Sequence, residues 1–172
     1  MFSPYNHDEI TSFDQLNLRK ELIEACALAH FVRPSKIQAN ALPILLSKSK
    51  YPNFVGQAQH GSGKTATFAL TILQRIEEES TKLQAICLCH SRELAIQTHD
   101  VIKNLSCRMN NVEIFLAVKD ETLPAPWKHQ IIVGTPGTLL KLLFNTKTDV
   151  SLSEFLKKLK MYYFFFLIEC RV

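Results

Sequence analysis

Apolar positions along this chain fall into two patterns that take turns. Short unbroken apolar runs stand at residues 85–89, 114–118, 131–133 and 164–168, which is how strands buried on both faces of a parallel sheet read. Between them the spacing changes to that of one helical face. Phe68, Ala69, Ile72, Leu73 and Ile76 recur at this spacing, as do Leu94, Thr98, Val101, Ile102 and Leu105, and again Leu139, Leu140 and Leu143. Residues 38–47 predict a helix that Pro43 kinks or interrupts, because proline supplies no N–H and crowds the preceding turn. Asn53-Phe54-Val55-Gly56 predicts one more short strand. Residues 119–128, with Pro124 and Pro126, and the polar stretch 145–153 read as loops. Strands alternating with helices predict an α/β fold with a mostly parallel sheet flanked by helices. Residues 1–12 read as a tail and 13–172 as one domain, with no internal repeat or linker.

Composition changes this picture little. A chain of 172 residues with 47% hydrophobic and 21% charged residues can bury a real core. The net charge of +4 permits a nucleic-acid partner without arguing for one. Five cysteines (Cys26, Cys87, Cys89, Cys107, Cys170) are odd in number and scattered, with no second pair at zinc-site spacing, and all are expected to be buried structural thiols. Cys87 and Cys89 should share one side of a strand. The six histidines form no ligand pattern. No signal peptide is expected at the start, and the apolar run at 161–168 is too short to cross a bilayer. A reducing, intracellular compartment follows as an expectation, without membrane insertion.

Candidate chemistry centres on Ala58-Gln59-His60-Gly61-Ser62-Gly63-Lys64-Thr65, lying between the short strand and a long amphipathic helix. Backbone N–H groups in such a glycine-rich loop can cradle a polyphosphate, a lysine can reach its outer phosphates, and a threonine hydroxyl can hold magnesium. Gly61 and Gly63 allow the tight turn, Lys64 brings charge, and Thr65 brings an oxygen ligand. The alternative is a plain glycine-rich turn. Gln59, His60 and Ser62 complete the candidate phosphate cradle.

Other motifs stand in order around this loop. Pro34-Ser35-Lys36-Ile37-Gln38 precedes it, with Phe13 further upstream, and Ser91-Arg92-Glu93-Leu94 and Gly134-Thr135-Pro136-Gly137-Thr138 follow. In order and spacing they resemble the DEAD-box ATP-dependent RNA helicases, specifically their first RecA-like domain, from Phe13 to about Leu143. Within that family they look most like the branch acting in mRNA export at the nuclear pore. The resemblance implies ATP and Mg2+ as cofactors. Gln38 would read adenine, since a carboxamide offers one donor and one acceptor side by side, and Phe13 would stack on the purine. Lys64 and Thr65 would serve catalysis. Ser91, Arg92, Glu93, Thr135, Pro136 and Gly137 would grip the backbone of single-stranded RNA, independently of base sequence. Partners would be that RNA and nuclear-pore or messenger-ribonucleoprotein proteins, with the protein a monomer in cytoplasm and nucleus. A nucleotide-, RNA- or partner-binding module without turnover, and an unrelated P-loop kinase or NTPase, are the alternatives.

The chain departs from the family pattern at several positions. Ala58 stands for the usual first glycine, His60 for a small hydroxyl residue, His90-Ser91 for Pro-Thr, and Thr138 for arginine. The paired glycines expected near Ala117, Val118 and Lys119 are missing. Where the family has Asp-Glu-Ala-Asp this chain reads Ile168-Glu169-Cys170-Arg171. On that alignment Glu169 keeps the base position, whereas Ile168 has no oxygen for a metal; in the other reading Glu169 is a chance match and the chain diverges near Met161. The domain is expected to be incomplete at its C-terminus and to lack the second RecA-like domain, so that this chain alone is an inactive fragment.

Overall fold

The computed structural model describes residues 10–47, 53–119, 121–122, 128–144 and 164–168. It opens with a 3-10 turn, Phe13–Leu16, closed by a capping box in which Ser12 and Gln15 satisfy each other's backbone N–H groups. Helices α1 (Lys20–Leu28) and α2 (Lys36–Leu45) precede α3 (Lys64–Arg75). Then follow β1 (Ala85–Cys89), α4 (Arg92–Leu105), β2 (Ile114–Ala117), β3 (Ile131–Gly134), α5 (Pro136–Phe144) and β4 (Phe164–Ile168).

The four described strands form one parallel sheet in the order β2-β3-β1-β4. Strand β3 is buried throughout, and its residues alternate between two cores. Ile131 and Val133 join Leu70, Leu73, Ile102 and Cys87 on one face, while Ile132 joins Phe115, Ala117 and Leu139 on the other. The sheet is therefore covered on both sides, as its apolar runs predict.

Several expectations need correction. Asn53-Phe54-Val55-Gly56 forms no strand: it carries only two apolar residues between asparagine and glycine, both poor strand formers, and Val55 is 97% exposed. Helix α2 is not interrupted at Pro43 but runs on to Leu45. Pro43 sits in its last turn, where the missing N–H costs a single hydrogen bond and the Leu46 N–H still reaches the Leu42 carbonyl at 2.8 Å. Cys107 is exposed in the turn after α4, whereas Cys26, Cys87 and Cys89 are buried and Cys170 lies outside the described residues. Burial pushes the Cys26 thiol up to about 11 and raises that of Cys87 further. Leu140 faces solvent although its neighbour Leu139 is buried. The stretches 1–9 and 145–153 and most of 119–128 lie wholly or partly outside the described residues.

A polar lattice ties the connections together at the N-terminal edge of the sheet. Arg19 donates to the carbonyls of Gln74 and Ile76 at the end of α3 and pairs with Glu78 at 2.8 Å. The second oxygen of Glu78 accepts from the Asn110 N–H at 2.7 Å. Gln130, 2% exposed, donates to the carbonyls of Ser80 and Asn111 and accepts from the Glu113 N–H. This lattice fixes the C-terminal end of α3 at that edge. Helix α3 has 12 residues, about 18 Å at 1.5 Å per residue, so its N-terminus lies toward the opposite edge, where β1, β3 and β4 end.

Candidate nucleotide-binding site

The C-terminal edge of a parallel sheet is where α/β folds place ligands, because strand ends and helix N-termini meet there. Three helices begin there. The loop before α3 turns through Gly61 at φ 75° and Gly63 at φ 95°. Gly63 is doubly required: a Cβ on it would also lie 2.8 Å from Gln38 Nε2 and 3.0 Å from Ser35 Oγ. Lys64 begins α3, and its ammonium is folded back onto its own loop, donating to the carbonyls of Ala58 at 2.5 Å and Gln59 at 2.6 Å. Gln59, His60 and Gly61 are exposed at the loop tip, while Ser62, Lys64 and Thr65 are partly buried.

A polyphosphate suits these residues on three observations. The positive-φ glycines leave the loop backbone bare, with open space around Gly61. The buried Ser62 Oγ has no hydrogen-bond partner among the described residues. The lysine ammonium is already within the loop. For magnesium the chain offers the Thr65 hydroxyl. Among the described residues no three His, Cys, Asp or Glu side chains cluster as a metal site.

Gln38 is 5% exposed, and its role begins with capping. Ser35 and Gln38 form a capping box at the start of α2, with the Ser35 N–H donating to Gln38 Oε1 at 2.8 Å. The Gln38 amide also donates to the Gly63 carbonyl at 3.5 Å. One donor and one acceptor are used, and a carboxamide has two of each, so one of each is left for a ligand edge. Phe13 is a buried residue. At 4% exposed it packs in the main core with Leu16, Leu18 and Leu22, as a core side chain rather than an open stacking face. A 3-10 turn with polar Asp14 and Gln15 outward must point Phe13 and Leu16 inward.

The candidate RNA motifs come together because β1 and β3 are neighbours, with Leu88 opposite Gly134. Ser91 caps α4, its hydroxyl accepting from the Leu94 N–H at 3.2 Å, and leaves Arg92 and Glu93 exposed. At the start of α5 the Thr135 hydroxyl donates to that of Thr138 at 3.0 Å, with Pro136 and Gly137 exposed. Ile168 ends β4 opposite Cys89, on the same edge. Glu169 lies outside the described residues. Two contributors escaped the sequence reading: the capping role of Ser35, whose Ser-x-x-Gln signature was legible, and buried Thr67, for which no local signal exists.

Comparison with known proteins shows the family. The DEAD/DEAH box helicase pattern matches residues 35–162, and the chain belongs to that family. It is 43% identical over 142 residues to the ATP-dependent RNA helicase dbp5 of Schizosaccharomyces pombe, covering 81% of this chain and 28% of the relative. Among solved structures it resembles S. cerevisiae Dbp5 bound to RNA and ADP BeF3, with TM-score 0.74, 32% identity, and 94% of this chain and 47% of that one covered. It also resembles an S. cerevisiae Dbp5 variant bound to Nup159, a Gle1 variant, IP6 and ADP, with TM-score 0.68, 31% identity, and 88% and 46% covered. The chain thus spans less than a third of the curated relative and about half of the solved chains.

Proposed function

We propose that this chain supplies the ATP-binding part of an ATP-dependent RNA helicase acting in mRNA export. The observation that carries the reading is the phosphate loop at the head of α3, held through Gly63 by the amide of Gln38. The acceptor and donor left on Gln38 suit adenine N6–H and N7 respectively, while guanine presents an acceptor where adenine presents a donor. Lys64 would turn from its loop carbonyls to the outer phosphates, and Thr65 would offer its oxygen to magnesium, which when bound neutralises phosphate charge. ATP is expected to bind more tightly than GTP in a calorimetric titration with magnesium. Equal affinities would remove Gln38 as the base reader.

Ser91, Arg92, Glu93, Thr135, Pro136 and Gly137 make up the proposed RNA grip, on two helix N-termini along the same edge. The unpaired N–H groups of those helix starts, proline excepted, suit phosphate oxygens and carry no base readout. Single-stranded RNA is therefore expected to bind without base preference and to weaken steeply with salt. Fluorescence titrations at several salt concentrations check this; a flat salt response counts against the grip. The solved relatives with RNA, Nup159 and Gle1 support RNA and nuclear-pore proteins as partners of the whole protein, and the pore as its place of action.

A further inference from the structure

Thr67 lies outside the loop motif, one turn into α3, and is 1% exposed. Its hydroxyl donates to the Gly63 carbonyl at 3.0 Å. That carbonyl also receives the Thr67 N–H at 3.0 Å and the Gln38 amide at 3.5 Å, so three donors converge on one oxygen. A threonine bonding back four residues is ordinary inside a helix, and Thr71 does so to the Thr67 carbonyl at 2.8 Å. At Thr67 the difference is the acceptor. Gly63 is the positive-φ residue from which the loop enters the helix.

The peptide unit joining Gly63 and Lys64 is planar and trans, so its C=O and N–H point in opposite directions. Holding the Gly63 carbonyl toward Thr67 therefore aims the Lys64 N–H away from the helix, into the loop's concavity. We propose that Thr67 is a positioning residue of the phosphate loop: its hydroxyl fixes the Gly63–Lys64 peptide so that the amide meets the polyphosphate. The inference rests on the nucleotide reading above. Its effect falls on phosphate binding, because the Gln38 amide keeps its bond to Ser35 whatever occupies position 67.

The test uses the full chain, titrated with magnesium ATP and separately with inorganic triphosphate. Thr67→Val keeps the shape and removes the hydroxyl, and is expected to weaken both ligands about fivefold, the size of one lost neutral hydrogen bond. Thr67→Ser and Thr67→Ala differ by the hydroxyl alone, and keep the comparison available if the valine variant does not fold. Serine should stay within about twofold of the parent and alanine should match valine. Melting temperatures of the same proteins separate lost folding from lost binding. Serine as weak as alanine, or valine as tight as the parent, overturns the inference while leaving the nucleotide reading intact. A parent chain without ATP affinity, or one whose affinity survives Lys64→Ala, overturns both.

Discussion

Replacing Gln130 with leucine is expected to lower the melting temperature by on the order of 10 °C, although leucine is apolar and of similar size. The Gln130 side chain sits at 2% exposure and bonds the backbone of Ser80 and of the Asn111 to Glu113 stretch, two segments far apart in sequence. Its own carbonyl accepts from the Gln84 and Ala85 N–H groups where β1 begins. Leucine leaves two carbonyls and one N–H without their partner, at about 1 kcal/mol or more for each group that water cannot reach. A loss of about 3 kcal/mol corresponds to the expected shift in a chain of this size. Thermal unfolding followed by circular dichroism checks it. A leucine variant that melts with the parent would mean that the Gln130 side-chain bonds add nothing to what packing and backbone bonds already hold.

Lys64→Ala is expected to lower ATP affinity by roughly 10- to 100-fold, with little change in melting temperature. A charge-assisted hydrogen bond is worth about 1.5–3 kcal/mol, which sets that range. The lysine ammonium bonds only to carbonyls of its own loop, Ala58 and Gln59, among the described residues. A polyphosphate must draw it from those two acceptors, and the negative charge supplies the reason to move. Deleting the side chain removes that attraction without opening the core, which explains why binding and stability should separate. Isothermal calorimetry with magnesium ATP, beside a thermal melt, measures both. Unchanged affinity would remove the loop from the nucleotide site.

Much of the framework was legible because it depends on local rules. The apolar runs located β1 and β4 and placed β2 and β3 within a residue of their observed ends. The face Leu94, Thr98, Ile102 and Leu105 marked α4, whose inner side holds Thr98, Ile102 and Leu105 among its buried residues. Helix α1 went unread, though Leu22, Ala25 and Cys26 have helical spacing and are buried. Its N-cap is Arg19, which makes no side-chain cap bond, so the usual start signal is missing. The short run at Phe54 and Val55 suggested a strand, but strand formation also needs a neighbour to pair with, which composition does not reveal.

The site divides in the same way. Glycines, lysine and threonine in the loop point to the proposed phosphate cradle by residue type alone. Burial of Phe13 and the double engagement of Gln38 depend on what the fold brings against them. Gln38 and Gly63 are 25 residues apart, and only the packing of α2 beside α3 joins them. Cys107 shows the reverse case, a residue type that is usually buried, left outside because it follows the last buried turn of α4.

The central claim, that the loop at the head of α3 binds ATP together with Gln38, is tested most directly by amide resonance mapping. A 15N-labelled chain titrated with magnesium ATP should show its largest shifts at Gly61, Ser62, Gly63, Lys64 and Thr65, with the Gln38 side-chain amide moving at the same ligand concentration. Saturable shifts confined to other elements, or no shifts at concentrations that saturate related ATP-binding loops, would contradict it.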